Sequence, residues 1–212
     1  SYILDTICSP EERTKILYMW KDDEHLLHRN EYIGEQYNDF LEEDDEFNFM
    51  KALIANYILE GIYFYSGFSF FYNLGRNGKM PGTVQEIRYI NRDENTHLWL
   101  FRSLINDLRK ERSDLFTQEH IKYYTAMLKE GVDQEIAWGK YAIGDNIVGL
   151  NGKMIEDYIK YLGNLRAKGL GFGNLYQGYD EVPDSMKWVE EYADPNQVKT
   201  DFFEAKVSAY SK

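Results

Sequence analysis

The stretch ALIANYILEGIYFYSGFSFFYNLG, residues 52–75, decides the fold class of this 212-residue chain. Glu60 is its one charged side chain, and apolar or aromatic residues occupy every face of a helix built from it. Such a helix lies either in the interior of a protein or in a membrane. Asn56 and Glu60 interrupt the run, an acidic segment precedes it, and the mean hydropathy of the chain is −0.58. The stretch therefore predicts a buried helix of an all-α bundle.

The charge of the chain limits its partners. It carries 36 acidic and 24 basic residues, a formal net charge of −12. This charge repels phosphate backbones and anionic lipid, so we expect neither nucleic acid nor a membrane as a partner. The single cysteine, Cys8, cannot form an intramolecular disulfide, and the N-terminal residues lack the charged-then-apolar pattern of a signal peptide. We expect a cytoplasmic protein with one domain over 1–212.

Turn and capping signals divide the chain into helices. The turn GRNGKMPG, residues 75–82, separates the buried helix, predicted over 46–74, from a second long helix over 83–110. The sequence SPEER, which begins at Ser9, indicates a helix that runs to about residue 30 or beyond. The remaining predicted elements are helices over 117–143 and 151–168, then loops with short helical pieces over about 170–212.

Two polar residues continue the apolar stripe of the second long helix. The spacing of three and four residues that runs to Ile90 leads next to Glu94 and His97. Positions i and i+3 lie on one side of a helix, so both groups are predicted to point inward, one turn apart. The apolar members of this stripe are Val84, Ile87, Ile90, Leu98, Phe101, Leu104, Ile105 and Leu108. A carboxylate and an imidazole at one point suit iron, manganese or zinc.

Glu60 is predicted to meet this pair. It lies about 15 residues before the turn, and Glu94 lies about 11 residues after it. In an antiparallel hairpin, Glu60 and Glu94 therefore lie at the same height along the two helices to within about one helical turn. One Glu from one helix and Glu-x-x-His from its neighbour make half of the di-metal site of helical bundles. Taken alone, Glu-x-x-His is more often a salt-bridged or capped pair. Burial of all three groups, with no lysine or arginine on the apolar faces to neutralise Glu60, favours a metal site.

The other histidines are interpreted without a metal. Residues 22–31, which contain His25 and His28, are dense in charge and are typical of a solvated face. His120 follows Thr117 at a helix start, where a capping role is favoured over ligation.

Four segments resemble the small, radical-generating subunit of class I ribonucleotide reductase. They are LEGIYFYSGF (59–68), IRYINRDENTHLWLF (87–101), DQEIAWGKYAIGDNIVGLN (133–151) and DFFEAKVSAYSK (201–212). The resemblance implies a ferritin-like helical bundle with a dinuclear metal centre. Iron is the first expectation for this centre, with manganese or a mixed manganese–iron pair as alternatives. It further implies that the centre uses oxygen or a reduced oxygen species to store a radical. The oxidising equivalent then passes to a separate large catalytic subunit, which makes deoxyribonucleotides.

The resemblance also assigns roles to individual residues. Glu60, Glu94 and His97 match the last three metal ligands of the family, with Glu94 bridging the two metals. Asp93 matches an acid that orients a histidine ligand and joins the radical-transfer path. The apolar pocket beside the site is matched by Phe64, Phe68 and Ile90.

Part of the family pattern is missing from this sequence. An earlier carboxylate ligand and a first Glu-x-x-His of the family align before Ser1, and the radical-bearing residue aligns immediately before it, so Tyr2 is not expected to carry the radical. We expect the ferritin-like domain to be incomplete on its N-terminal side and to be completed by an upstream segment or another polypeptide. The complete small subunit is expected to form a homodimer. The family's docking tail for the large subunit is not found up to Lys212.

Two other functions stay open from the sequence. A different ferritin-like di-metal oxidase could use the same ligands, although Asp93 and the segment 201–212 favour the reductase subunit. A metal-free helical interaction protein is the alternative from another class of function.

Overall fold

The computed structural model describes residues 2–193, and these residues form a bundle of α-helices, which confirms the predicted fold class. A single bridge between Ile147 and Leu150 is the one extended pairing within this range. The helices are α1 (Tyr2–Ile7), α2 (Pro10–Tyr18), α3 (Glu24–Glu42), α4 (Glu46–Gly61), α5 (Tyr65–Arg76), α6 (Pro81–Glu111), α7 (Gln118–Ile143), α8 (Gly152–Gly169) and α9 (Lys187–Ala193). The segment 201–212, used for the resemblance, lies outside the described residues.

Several helices begin where the sequence predicts a cap. Ser9 forms a capping box with Glu12 at the start of α2. The Thr117 hydroxyl accepts a hydrogen bond from the backbone N–H of His120 at 3.2 Å. This bond caps α7, as predicted for the helix start around His120. Asn151 caps α8 in the same way through the Met154 N–H. Local side-chain chemistry therefore sets these boundaries.

The prediction of one helix from Ser9 to about residue 30 is wrong. The helix α2 ends at Tyr18, and one 3-10 turn, Met19–Lys21, leads to α3. Asp23 supplies a second start signal, because its carboxylate accepts the Leu26 N–H at 3.0 Å. A new cap inside a charged segment thus divides the predicted helix in two.

The prediction of one continuous helix over 46–74 is also wrong. The helix α4 ends at Gly61, and α5 begins at Tyr65. The amide groups of Ile62 and Tyr63 both donate to the Ile58 carbonyl, at 2.9 and 3.4 Å, so the regular bonding pattern stops there. We call residues 62–64 the helix break. Its position directly after Glu60 matters for the candidate site.

The core of the bundle surrounds α4 and α5. The helix α4 packs against α3, α6 and α7, and α5 packs against α6, α7, α8 and α9. Glycines allow some of these close approaches: a Cβ at position 131 of α7 would lie 2.4 Å from the Ile58 Cγ2 of α4. Within residues 2–193, no helix is both long and apolar enough to cross a membrane.

The inward row of α6 differs from the predicted stripe. The buried residues recur every seven positions, at Val84, Asn91, Leu98 and Ile105. The neighbouring row of Ile90, His97 and Leu104 is exposed by a third or more. The predicted stripe combined both rows, because Ile90 and Leu104 are as apolar as Leu98 and Ile105. The helix is thus rotated away from the predicted orientation, and His97 lies at the edge of its packed face.

The contact between α7 and α4 yields a test of the packing. Gly131→Ala should lower the free energy of unfolding by about 1–3 kcal/mol, because the new methyl group has to displace the buried Ile58 side chain. Urea denaturation measures this change.

Gly34→Ala in α3 is the matched control, because a Cβ at position 34 would meet nothing within 4 Å. This variant should gain about 0.5–1 kcal/mol from the better helix former. Stabilisation by both substitutions would show that α4 and α7 do not approach this closely.

Candidate metal centre

Three side chains from two helices converge at one point. Glu60 lies at the end of α4, and Glu94 and His97 lie one turn apart on α6. The His97 Nδ1 atom is 2.9 Å from Glu94 Oε2 and 3.6 Å from Glu60 Oε2. One possible ligand atom from each residue lies within 4.8 Å of the others. The hairpin of α4–α5 and α6 thus brings Glu60 to the same height as Glu94 and His97, as predicted, in spite of the helix break.

Burial and neighbouring groups shift the ionisation of Glu60 and His97. Burial and the nearby Glu94 raise the pKa of Glu60 to about 7, although His97 opposes this rise. The hydrogen bond that the protonated His97 ring donates to Glu94 and the charge of Glu60 raise the pKa of His97, although burial opposes this rise. Two acidic groups and one base therefore share a space in which like charges repel. A bound cation would relieve this repulsion.

The donor set fits a transition metal. Two carboxylate oxygens and one imidazole nitrogen suit iron, manganese or zinc. The Nδ1 atom of His97 is directed at both carboxylates, so the three donors already face a common point. Among the residues that the structure describes, this is the one group of three acidic, histidine or cysteine side chains close enough to hold an ion.

The predicted burial of the three groups is only partly correct. The side chains of Glu60 and Glu94 are 18% and 15% exposed, whereas that of His97 is 51% exposed. The cause is the rotation of α6, which turns the row of Ile90, His97 and Leu104 away from the described core. We call this row, together with Asp93 and Leu100, the open face.

The predicted pocket residues differ in burial. Phe68 is buried in α5, and its ring centre lies 6.1 Å from that of Phe64. Phe64 belongs to the helix break and is 37% exposed, and Ile90 of the open face is 38% exposed. Their assignment as walls of a metal site stays a prediction.

Asp93 does not contact His97. Its carboxylate accepts two hydrogen bonds from the Arg92 guanidinium, at 3.1 and 3.0 Å, and its side chain is 59% exposed on the open face. The partners of His97 are instead Glu94 and Glu60. The role of Asp93 in orienting a histidine ligand therefore stays a prediction.

Several polar groups near α4 and α5 are not among the residues predicted from the sequence. Tyr37 donates a hydrogen bond to Asn56 at 3.1 Å, one turn before Glu60, and burial together with the Glu60 charge raises its pKa. Glu135 is fully buried and forms an ion pair with Arg29. Arg29 is also buried, although it belongs to residues 22–31, which were predicted to form a solvated face. Periodicity could have found Glu135, because it follows the buried Leu128 and Val132 of α7 by seven and three positions. By contrast, His28 is exposed, as predicted.

Comparisons with known proteins agree with the sequence resemblance. The family model "Ribonucleotide reductase, small chain" matches residues 1–183. A ribonucleoside-diphosphate reductase subunit beta of Treponema pallidum is 63% identical over 212 residues, which are all of this chain and 60% of that protein. The corresponding subunit of Halalkalibacterium halodurans is 40% identical over the same length, 61% of that protein. The chain thus spans about 60% of the length of these curated relatives.

A solved structure shows the same architecture. The ribonucleotide reductase R2 subunit from Clostridium botulinum superposes with a TM-score of 0.85 and is 48% identical. The superposition covers 91% of this chain and 60% of that one. The helical bundle is therefore the ferritin-like fold that the resemblance implies.

The repulsion at the site yields a test on the metal-free protein. Because the pKa of Glu60 is about 7 in the folded state and 4.5 ordinarily, the folded protein holds a proton that the unfolded chain releases between these values. Stability should therefore fall as the pH rises from about 5 to about 7. Glu60→Gln should weaken this fall and raise the Tm at about pH 7.5, measured by thermal denaturation.

Glu86→Gln is the control, since Glu86 is an exposed glutamate of α6 outside the site. It should leave the pH dependence of the wild type unchanged. The same pH dependence in all three proteins would contradict the predicted repulsion.

Proposed function

This chain belongs to the ribonucleotide reductase small-chain family, and from that membership we propose that it forms the second half of the metal site in a ribonucleoside-diphosphate reductase small subunit. The observation that carries the proposal is the convergence of Glu60, Glu94 and His97 at one point. Family membership favours this function over an unrelated di-metal oxidase or a metal-free helical protein. The complete subunit would act with a large catalytic subunit on ribonucleoside diphosphates, and two copies of it would form a dimer.

The three residues would hold the metals in different ways. Glu60 and His97 would bind one metal, and Glu94, which lies within hydrogen-bond distance of His97, would bridge to the second. A dinuclear centre, of iron first and of manganese or both metals as alternatives, would supply the oxidising power that creates a stored radical. The described side chains would bind and orient this centre.

The surrounding residues would limit access to it. Phe64, Phe68 and Ile90 would form the apolar pocket beside the ligands and would exclude water and protons. Asp93, on the open face beside His97, would contact a histidine that another segment contributes and would join the radical-transfer path. Its present partner, Arg92, is also exposed, so this ion pair can be exchanged for another at little cost.

Charge balance indicates that ligands from outside residues 2–193 are needed. Two carboxylates and a neutral imidazole offset about two positive charges, whereas two divalent ions bring about four. Two further carboxylates and a second histidine would balance the charge and fill both coordination shells. We propose that an upstream segment or a partner chain supplies them and covers the open face, where Ile90, Leu100 and Leu104 are exposed.

Loss of the bridging ligand tests the metal assignment. In the complete small subunit, Glu94→Ala should abolish dinuclear loading, from about two metal ions per site to one or fewer, because the carboxylate proposed to bridge the two metals is lost. Metal analysis measures the bound metal, and circular dichroism on the same samples shows whether the helices are still folded.

Glu86→Ala on the same helix is the matched control and should keep full loading. Wild-type metal content in the Glu94→Ala variant would refute the bridging role.

Completeness is tested by expression with and without the upstream segment. Residues 1–212 alone should neither load about two metal ions nor form a radical, because half of the ligands would be missing. Addition of the segment should restore both and change the oligomeric state. Metal analysis, electron paramagnetic resonance and light scattering give these measurements. Full loading and a radical signal from residues 1–212 alone would overturn the ligand assignment.

A further inference from the structure

Charged side chains from three other helices satisfy the backbone groups around the helix break. Arg166 Nε of α8 donates to the Gly61 carbonyl at 3.1 Å. Arg29 Nη2 of α3 donates to the Tyr63 carbonyl at 2.6 Å. Glu135 Oε1 of α7 accepts the Ser66 N–H at 2.9 Å. The break is therefore held from three sides by groups that are distant in sequence.

The signs of these charges match the helix ends. Arg166 and Arg29 lie at the C-terminal end of α4, where the partial charge is negative. Glu135 lies at the N-terminus of α5, where the partial charge is positive, and α5 has no side-chain cap of its own there. Arg29 and Glu135 also pair directly, with Nη2 and Oε2 2.6 Å apart. The three side chains thus replace the caps that the sequence of the break lacks.

This arrangement requires burial of all three charges. Glu135 is fully buried, and Arg29 and Arg166 are almost so. Burial raises the pKa of Glu135 to about 7, while Arg29 and the Ser66 N–H oppose the rise. The second donor of Arg166, Nη2, meets the Tyr65 hydroxyl at 2.9 Å. Apolar packing often gives equal or better stability than such buried charges, so stability alone does not explain them.

The contact of Arg166 lies one residue from a proposed metal ligand. Gly61 directly follows Glu60, and a Cβ at position 61 would lie 3.3 Å from Arg166 Nε and 2.7 Å from Leu98 Cδ1. Leu98 directly follows His97. The backbone of Gly61 is thus packed closely against both the arginine and the helix that carries Glu94 and His97.

We infer that Arg166, supported by the Arg29–Glu135 pair, is a positioning residue that fixes the end of α4 and so directs the Glu60 carboxylate at Glu94 and His97. This inference rests on the proposed function of the three residues as metal ligands. Arg166 itself contacts neither metal nor substrate. It acts through the Gly61 carbonyl, which sets where α4 stops.

The test compares metal affinity with stability in the complete small subunit. Arg166→Met keeps an unbranched, shorter side chain and removes both donors. It should weaken Mn²⁺ binding about 10- to 100-fold, the usual effect of losing a group that supports a ligand. Competition titration with Mn²⁺ measures the affinity, and urea denaturation measures the stability. Arg166→Lys, which keeps one donor, should recover part of the affinity.

Lys51→Met is the matched control. It removes a buried cation that pairs with Asp39 at 2.5 Å between α3 and α4, away from the break. This variant should lose stability but bind Mn²⁺ as the wild type does. Wild-type Mn²⁺ affinity in Arg166→Met, with a loss of stability like that of Lys51→Met, would overturn the inference.

Gly61→Ala tests the positioning role of Arg166 if the Arg166→Met variant does not fold. It keeps every charge and displaces Arg166 and Leu98, so it should also weaken Mn²⁺ binding, and an unchanged affinity would overturn the inference. A wild-type subunit that binds Mn²⁺ no better than its Glu94→Ala variant would instead refute the metal site itself. The two failures are therefore distinguishable.

Discussion

The orientation of α6 depends on a hydrogen bond in its packed face. Asn91 donates to the Tyr72 hydroxyl at 2.9 Å, and both residues are buried between α5 and α6. A one-residue shift of either helix would leave these polar groups without partners in an apolar environment, which costs about 1–3 kcal/mol per group. The pair therefore specifies both the level and the rotation of α6, in the way that a polar residue specifies register in a coiled coil. Glu94, one turn after Asn91, inherits its position from this contact.

Local signals and long-range contacts explain what the sequence could and could not predict. Ser9, Thr117 and Asn151 cap their helices through residues three positions away, so their role is visible in the sequence. The spacing of Glu94 and His97 and their distance to Glu60 were likewise enough to predict the convergence. The helix break was not predictable in this way, because residues 62–64 are as apolar as their neighbours. Its cause lies in side chains that are far away in sequence.

The rotation of α6 shows a second limit. Ile90 and Leu98 are both apolar, and hydropathy gives no reason to place one in the core and the other at its edge. Packing against Tyr72 and its neighbours makes that choice. The predicted periodicity of α6 was therefore correct, but the row of residues predicted to face the core included its exposed neighbour. For this reason His97 was predicted to be more buried than it is.

The ion pairs of the described residues fall into two groups with different effects. Exposed pairs of adjacent helical turns, such as Lys129–Asp133 and Lys153–Asp157, contribute little to stability individually. The pair Arg29–Glu135, which connects α3 and α7, is instead shielded from solvent, and loss of one partner would leave a buried charge. The excess of negative charge thus lies mainly on the surface, whereas a few cationic side chains are buried.

The helix break also has a consequence for folding during synthesis. Ser66 and its partner Glu135 are 69 residues apart, and Gly61 and Arg166 are 105 residues apart. A growing chain therefore exposes the apolar segment of α4 and α5 long before Glu135 and Arg166 have been made, although Arg29 precedes this segment. Contacts of such high sequence separation form late, because a long loop must be closed first. The nascent segment is then free to extend as one uninterrupted helix, and the shape of its bend is decided only when α8 joins the bundle.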